Sequence, residues 1–65
     1  MLNKNEDLKA FARKKRVPFW AIAQELNISE MTFTRWLRVE LTPERRAQIM
    51  NAIEAIARRE NEERS

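Results

Sequence analysis

The sequence predicts an all-α protein: one compact four-helix domain over residues 1–65, a trihelical core roofed by a longer C-terminal helix, with no β-wing. Three observations predict it. Apolar residues recur at i, i+3, i+4 and i+7 in successive stretches, the spacing of one helix face. Helix-start signals punctuate the chain at Val17-Pro18, Ser29 and Thr42-Pro43-Glu44. The chain also has no Gly, so a tight turn between helices needs another residue able to adopt positive φ.

The first helix is expected to start near Asn5, after four fraying residues. Glu6 and Asp7 lie in its first turn, where the helix dipole favours acids. Leu8, Phe11 and Ala12 form its buried stripe. Arg13-Lys14-Lys15-Arg16 ends it, and cations suit a helix C-terminus. Val17-Pro18 closes this helix and opens the next, since Pro disfavours helical geometry at the residue before it and fits the first helical position. Val17 is placed to staple against the second helix.

The second helix, about 18–26, carries Phe19, Ile22, Ala23 and Leu26 on one face. Trp20 falls on its flank and is expected to pack against the first or the last helix. Asn27 is the residue in Leu26-Asn27-Ile28-Ser29 best suited to positive φ. Ser29 is a good N-cap for a third helix running to about Arg38. At about 100° per residue, Phe33, Trp36 and Leu37 point inward, while Met31, Thr34, Arg35 and Arg38 point outward with Glu30 and Thr32 on the flanks. Leu41 is expected to plug the bottom of the core. Thr42 caps a last helix over 43–60, with an apolar stripe of Ile49, Met50, Ile53, Ile56 and Ala57, followed by a frayed tail over 61–65.

Composition narrows the function. Without Cys or His there is no disulfide, zinc finger, catalytic triad or His general base. With no Gly-rich loop and a chain too small to enclose a pocket, nothing points to an enzyme, a cofactor, a metal or a small-molecule ligand. No apolar run approaches the roughly 20 residues of a membrane span and no signal-peptide pattern is visible, so an intracellular protein is expected. The net charge of +3 is modest, but residues 1–38 carry eight Lys/Arg against four Asp/Glu, and residues 39–65 five against six. The basic surplus lies with the central helix pair and the segment before it, which is the electrostatic footprint of phosphate binding.

The stretch Ile22 to Leu37, IAQELNISEMTFTRWL, resembles the helix-turn-helix DNA-binding motif. Ala23 stands where the family has its small residue, Asn27 replaces the usual turn Gly, and Phe33 and Thr34 replace Val and Ser. The likeness covers about a third of the chain. It implies that the third helix enters the major groove of double-stranded DNA. The base-reading candidates are then Glu30, Met31, Thr34, Arg35 and Arg38. Arg35 suits guanine O6 and N7, Glu30 the N4 amine of cytosine, and Met31 a thymine methyl. The phosphate candidates are Arg13, Lys14, Lys15, Arg16, Ser29 and Thr32, with the N-terminus of the second helix.

The surrounding pattern, V-P-F-W-A-I-A before the turn and L-T-P-E before the last helix, is similar to that of small regulators carried by bacterial phages, plasmids and conjugative elements. It implies a repressor or activator acting in the bacterial cytoplasm. An excisionase-like architectural factor and a protein–protein adaptor built on the same trihelical unit remain open. A chain this short buries only about 60% of its unfolded surface, and operator half-sites come in pairs. A homodimer is therefore expected, with Trp20, Trp36, Met50 and Ile53 as candidate contacts.

Overall fold

In the computed structural model, which describes residues 5–64 and the side chains as far as residue 61, four helices follow one another: α1 (Glu6–Lys14), α2 (Phe19–Glu25), α3 (Glu30–Trp36) and α4 (Pro43–Arg64). No strand occurs among the described residues. The expected fraying of residues 1–4 lies outside them. The all-α four-helix architecture is as the apolar spacing predicts.

The short helices are set by their ends. α1 closes with Arg16 at φ 60°. The Val17 amide donates to the Ala12 carbonyl at 2.9 Å and the Arg16 amide to that of Arg13 at 3.0 Å, the paired bonds of a Schellman cap. α2 closes the same way. Asn27 has φ 62°, the Ile28 amide reaches the Ala23 carbonyl at 3.0 Å, and the Asn27 amide reaches that of Gln24 at 3.1 Å. Each cap leaves a large aliphatic residue just past the helix: Val17 is buried and Ile28 is packed against the core.

Pro18 differs slightly from its expected place. Its ψ of 156° is extended, so it precedes α2 as the cap residue, and its carbonyl accepts from Ala21 and Ile22. Ser29 caps α3 as predicted, its Oγ accepting from the Thr32 amide at 3.1 Å. Thr42 caps α4, accepting from the Arg45 amide at 3.1 Å.

One core joins the helices. Leu8, Ala12, Val17, Ile22, Ala23, Phe33, Leu37, Leu41, Ile49, Ala52, Ile53 and Ile56 are buried, and among the described residues no polar or charged side chain is buried with them. Phe33 is its centre, 1% exposed, with the edge of Phe19 against its ring at 5.6 Å and an interplanar angle of 75°. An edge-to-face pair of this kind adds about 0.5–1.5 kcal/mol to the burial itself. α2 lies against both α3 and α4, and α1 against α4.

Two expectations change on α4. The helix continues to Arg64, past the end expected near residue 60, so residues 61–64 are helical, while Ser65 lies outside the described residues. The run Arg58-Arg59-Glu60-Asn61-Glu62-Glu63-Arg64 lacks an apolar stripe but contains no helix breaker, and helix propagation costs little once a long helix is nucleated. Ile53 is fully buried. It belongs to the core, so the proposed dimer contact at this position is withdrawn.

Candidate nucleic-acid interface

α3 has two unlike sides. Phe33 and Leu37 turn into the core, and Trp36 is half-buried at its edge. On the opposite side Glu30, Met31, Thr34, Arg35 and Arg38 line one shallow concave surface. These are the five residues that the sequence nominates for base reading. Arg38 sits just beyond the last helical turn rather than on it, its amide bonded to the Arg35 carbonyl at 3.1 Å. Met31 is 73% exposed, although nothing in the core requires an apolar side chain to stand outside.

Among the described residues the charges of this surface form no ion pair. Among the described residues the ion pairs join Arg46 to Asp7 and Arg59 to Glu25. Both pairs tie α4 to another helix. Glu30, Arg35 and Arg38 take part in neither, so their hydrogen-bonding capacity is available to a partner.

The hydroxyls are less free than their residue types suggest. Ser29 Oγ donates to Thr32 Oγ1 at 2.8 Å while accepting the Thr32 amide. Thr34 Oγ1 donates to the Glu30 carbonyl at 3.0 Å. Each hydroxyl has one proton, so Thr34 has spent its own on the Glu30 carbonyl. In the Ser29–Thr32 pair either hydroxyl can donate to the other, which leaves one proton of the two for an outside acceptor. Ser29 is in addition the cap of α3.

The basic run at the end of α1 is exposed but does not border the concave surface of α3. Lys15 and Arg16 line a depression with Ala57, Glu60 and Asn61 of α4, and Lys15 Nζ lies 5.7 Å from the Phe11 ring centre. The opposite end of α1 is the one that meets α3: the side-chain amide Nδ2 of Asn5 donates to the carbonyls of Leu37 at 3.0 Å and Val39 at 2.8 Å. At about 1.5 Å per residue, Arg16 is about 16 Å further along the axis.

Asn5 is the site's hidden support. It adopts φ 62° and caps the exposed carbonyl end of α3 from 32 and 34 residues away. Arg46 Nη1 donates to Asn5 Oδ1 at 3.3 Å, and its other terminal nitrogen pairs with Asp7. That hydrogen bond holds the Asp7 carboxyl below its ordinary pKa. Beside this cluster the Arg45 guanidinium lies 3.8 Å from the Trp36 ring centre, a cation–π contact. Together these contacts fix the end of α3 from which Arg38 projects. An Asn just ahead of two acids is a local signal for a helix start, but its partners are set by the tertiary fold.

The four candidate dimer contacts are not brought together. Trp36 is covered by Arg45, and Ile53 is inside. Trp20 is 59% exposed and borders a groove with Gln24, Ile56 and Arg59 between α2 and α4. It borders α4 but is mostly exposed, so the expected packing against the first or the last helix is not found. Met50 shares a helix flank with Ala57 at i+7, and Ala57 lines the depressions on the α1 side of α4.

Among the described residues no group of three or more acids is placed to hold a metal ion, and no helix is long and apolar enough to cross a membrane. In comparisons with known proteins, no family model, no curated protein and no solved structure matches the chain.

Proposed function

We propose that the chain is a sequence-specific double-stranded-DNA-binding protein that lays the outer side of α3 in the major groove. The observation that carries this reading is the gathering of Glu30, Met31, Thr34, Arg35 and Arg38 on one open surface. Among the described residues its charges form no ion pair, and the other side of the helix is locked into the core. A merely solvated helix face has no need of an exposed Met beside two free guanidinium groups. Base edges in the major groove offer acceptors for Arg, donors for Glu and a methyl for Met. Thr32 and the exposed cations Arg13 and Lys14 suit phosphate, which positions the protein without specifying sequence. No cofactor enters this mechanism.

The biological setting that fits best is a transcriptional regulator of a bacterial mobile element, acting in the cytoplasm. Recombination accessory work would use the same DNA contacts. A homodimer would place two α3 helices on half-sites about 34–36 Å apart. Of the four contacts first considered, Trp20 best supports it, being large, apolar and mostly exposed.

Selection of bound duplexes from a random pool tests the function. Enrichment of a short motif is expected, with log affinity falling linearly with log salt at a slope of about 0.9 per phosphate neutralised. Absence of duplex binding at low salt would favour the protein–protein adaptor. Sedimentation of the complex would show whether one or two copies bind each site.

A further inference from the structure

We infer that the middle of the α3 face reads the 5-methyl group of a thymine lying one or two base pairs from the guanine read by Arg35. This rests on the DNA-reading function proposed above and gives it a base identity.

Two side chains carry the inference. Met31 stands 73% exposed, so its thioether arm contributes little to the core. Thr34 is one turn further on and shares the face. Its hydroxyl proton is bonded to the Glu30 carbonyl. What Thr34 still offers outward is its methyl group and an acceptor lone pair, not a donor. Met31 and Thr34 therefore form an apolar spot between Glu30 on one side and Arg35 and Arg38 on the other.

In the major groove the thymine methyl is the largest apolar feature that such a spot can cover, the cytosine C5–H being much smaller and the remaining recognition groups donors or acceptors. Spacing then fixes the neighbour. Met31 and Arg35 are four residues apart, about 6 Å along the helix axis. Base pairs stack at about 3.4 Å, so the two contacts fall one or two base pairs apart.

The test starts from the duplex selected by the wild-type chain. Each thymine is replaced in turn by deoxyuridine, which removes the methyl and keeps both the pairing and the O4 acceptor. At one thymine, adjacent or next-adjacent to a guanine, the replacement should weaken wild-type binding about fourfold, the effect of one buried methyl. In Met31→Ala the same replacement should cost less than about twofold. Thr34→Ser, which retains the hydroxyl and loses the methyl, should reduce the penalty partly. Met31 is exposed, so its variant should fold, as circular dichroism would show.

Deoxyuridine without effect at every thymine would overturn the inference and leave DNA reading intact. An undiminished penalty in both variants would also overturn it, because the methyl would then be read elsewhere. If no duplex is enriched at all, the functional reading falls and this inference with it.

Discussion

On its inner side α3 presents Phe33 and Leu37, 1% and 3% exposed; on its outer side Met31 is 73% exposed beside Arg35 and Arg38. The two sides belong to one short helix, Glu30–Trp36, and the two residues that follow it, and they are governed by different physics. The inner side is determined by packing, where a lost side chain leaves a cavity. The outer side has no packing partner among the described residues, and its residue types fit the proposed contact with DNA. A helix this short is not stable alone, so the inner side, the Ser29 cap and the Asn5 clasp must hold the outer side in place.

That division can be broken experimentally. Phe33→Ala should cost about 3–5 kcal/mol in chemical denaturation. Met31→Ala should stay within about 0.5 kcal/mol of the parent. Comparable losses for the two would mean that the sides are not separate. Asn5→Ala removes the amide that caps Leu37 and Val39 and places a Cβ-bearing residue without a side-chain hydrogen bond at positive φ. About 2 kcal/mol of destabilisation is expected, and an unchanged midpoint would show that α3 is held by apolar packing alone.

The two Schellman turns sharpen the same point, since they set the approach of α1 and α2 to α3. Arg16 at φ 60° is a costly choice, and Arg16→Gly should stabilise the fold by about 1 kcal/mol. A loss of stability would indicate that the Arg16 side chain contributes more at the depression with Glu60 than its backbone costs. A small effect concerns Asp7. Its carboxyl is held below its ordinary pKa by Arg46, so the folded state binds that proton less readily than the unfolded state. The pair's contribution is present above about pH 4 and fades as pH falls below it. Because the pair is exposed, Asp7→Asn should cost less than about 1 kcal/mol at pH 7. The gap to wild type should close on acidification, and a gap constant with pH would mean that the ion pair is idle.

Much of this was legible in residue order. Four apolar stripes give four helices, and the sectors of α3 follow from its 100° period. Asn27 could be identified because a chain without Gly leaves few residues able to turn there. Arg16 could not, because within Arg13-Lys14-Lys15-Arg16 a left-handed residue looks like any other cation at a helix end. The partners of Asn5 depend on how α1 crosses the end of α3. The packing of α1 on α4 carries Lys15 and Arg16 toward α4 instead of beside the outer side of α3. Ile53 and Met50 share one apolar stripe on paper, and only the seating of α4 separates the buried one from the exposed one. Thr34 shows the finer limit: its type suggests a donor, and one hydrogen bond to Glu30 removes that donor.

We propose that the outer side of α3 reads bases rather than merely attracting phosphate. The most direct test of this proposal is the affinity of Arg35→Ala for the selected duplex and for random duplex, measured at one salt concentration. Loss of about 1–3 kcal/mol on the selected site, with little change on random sequence, is the predicted result. An equal loss on both would make Arg35 a phosphate contact and contradict the account.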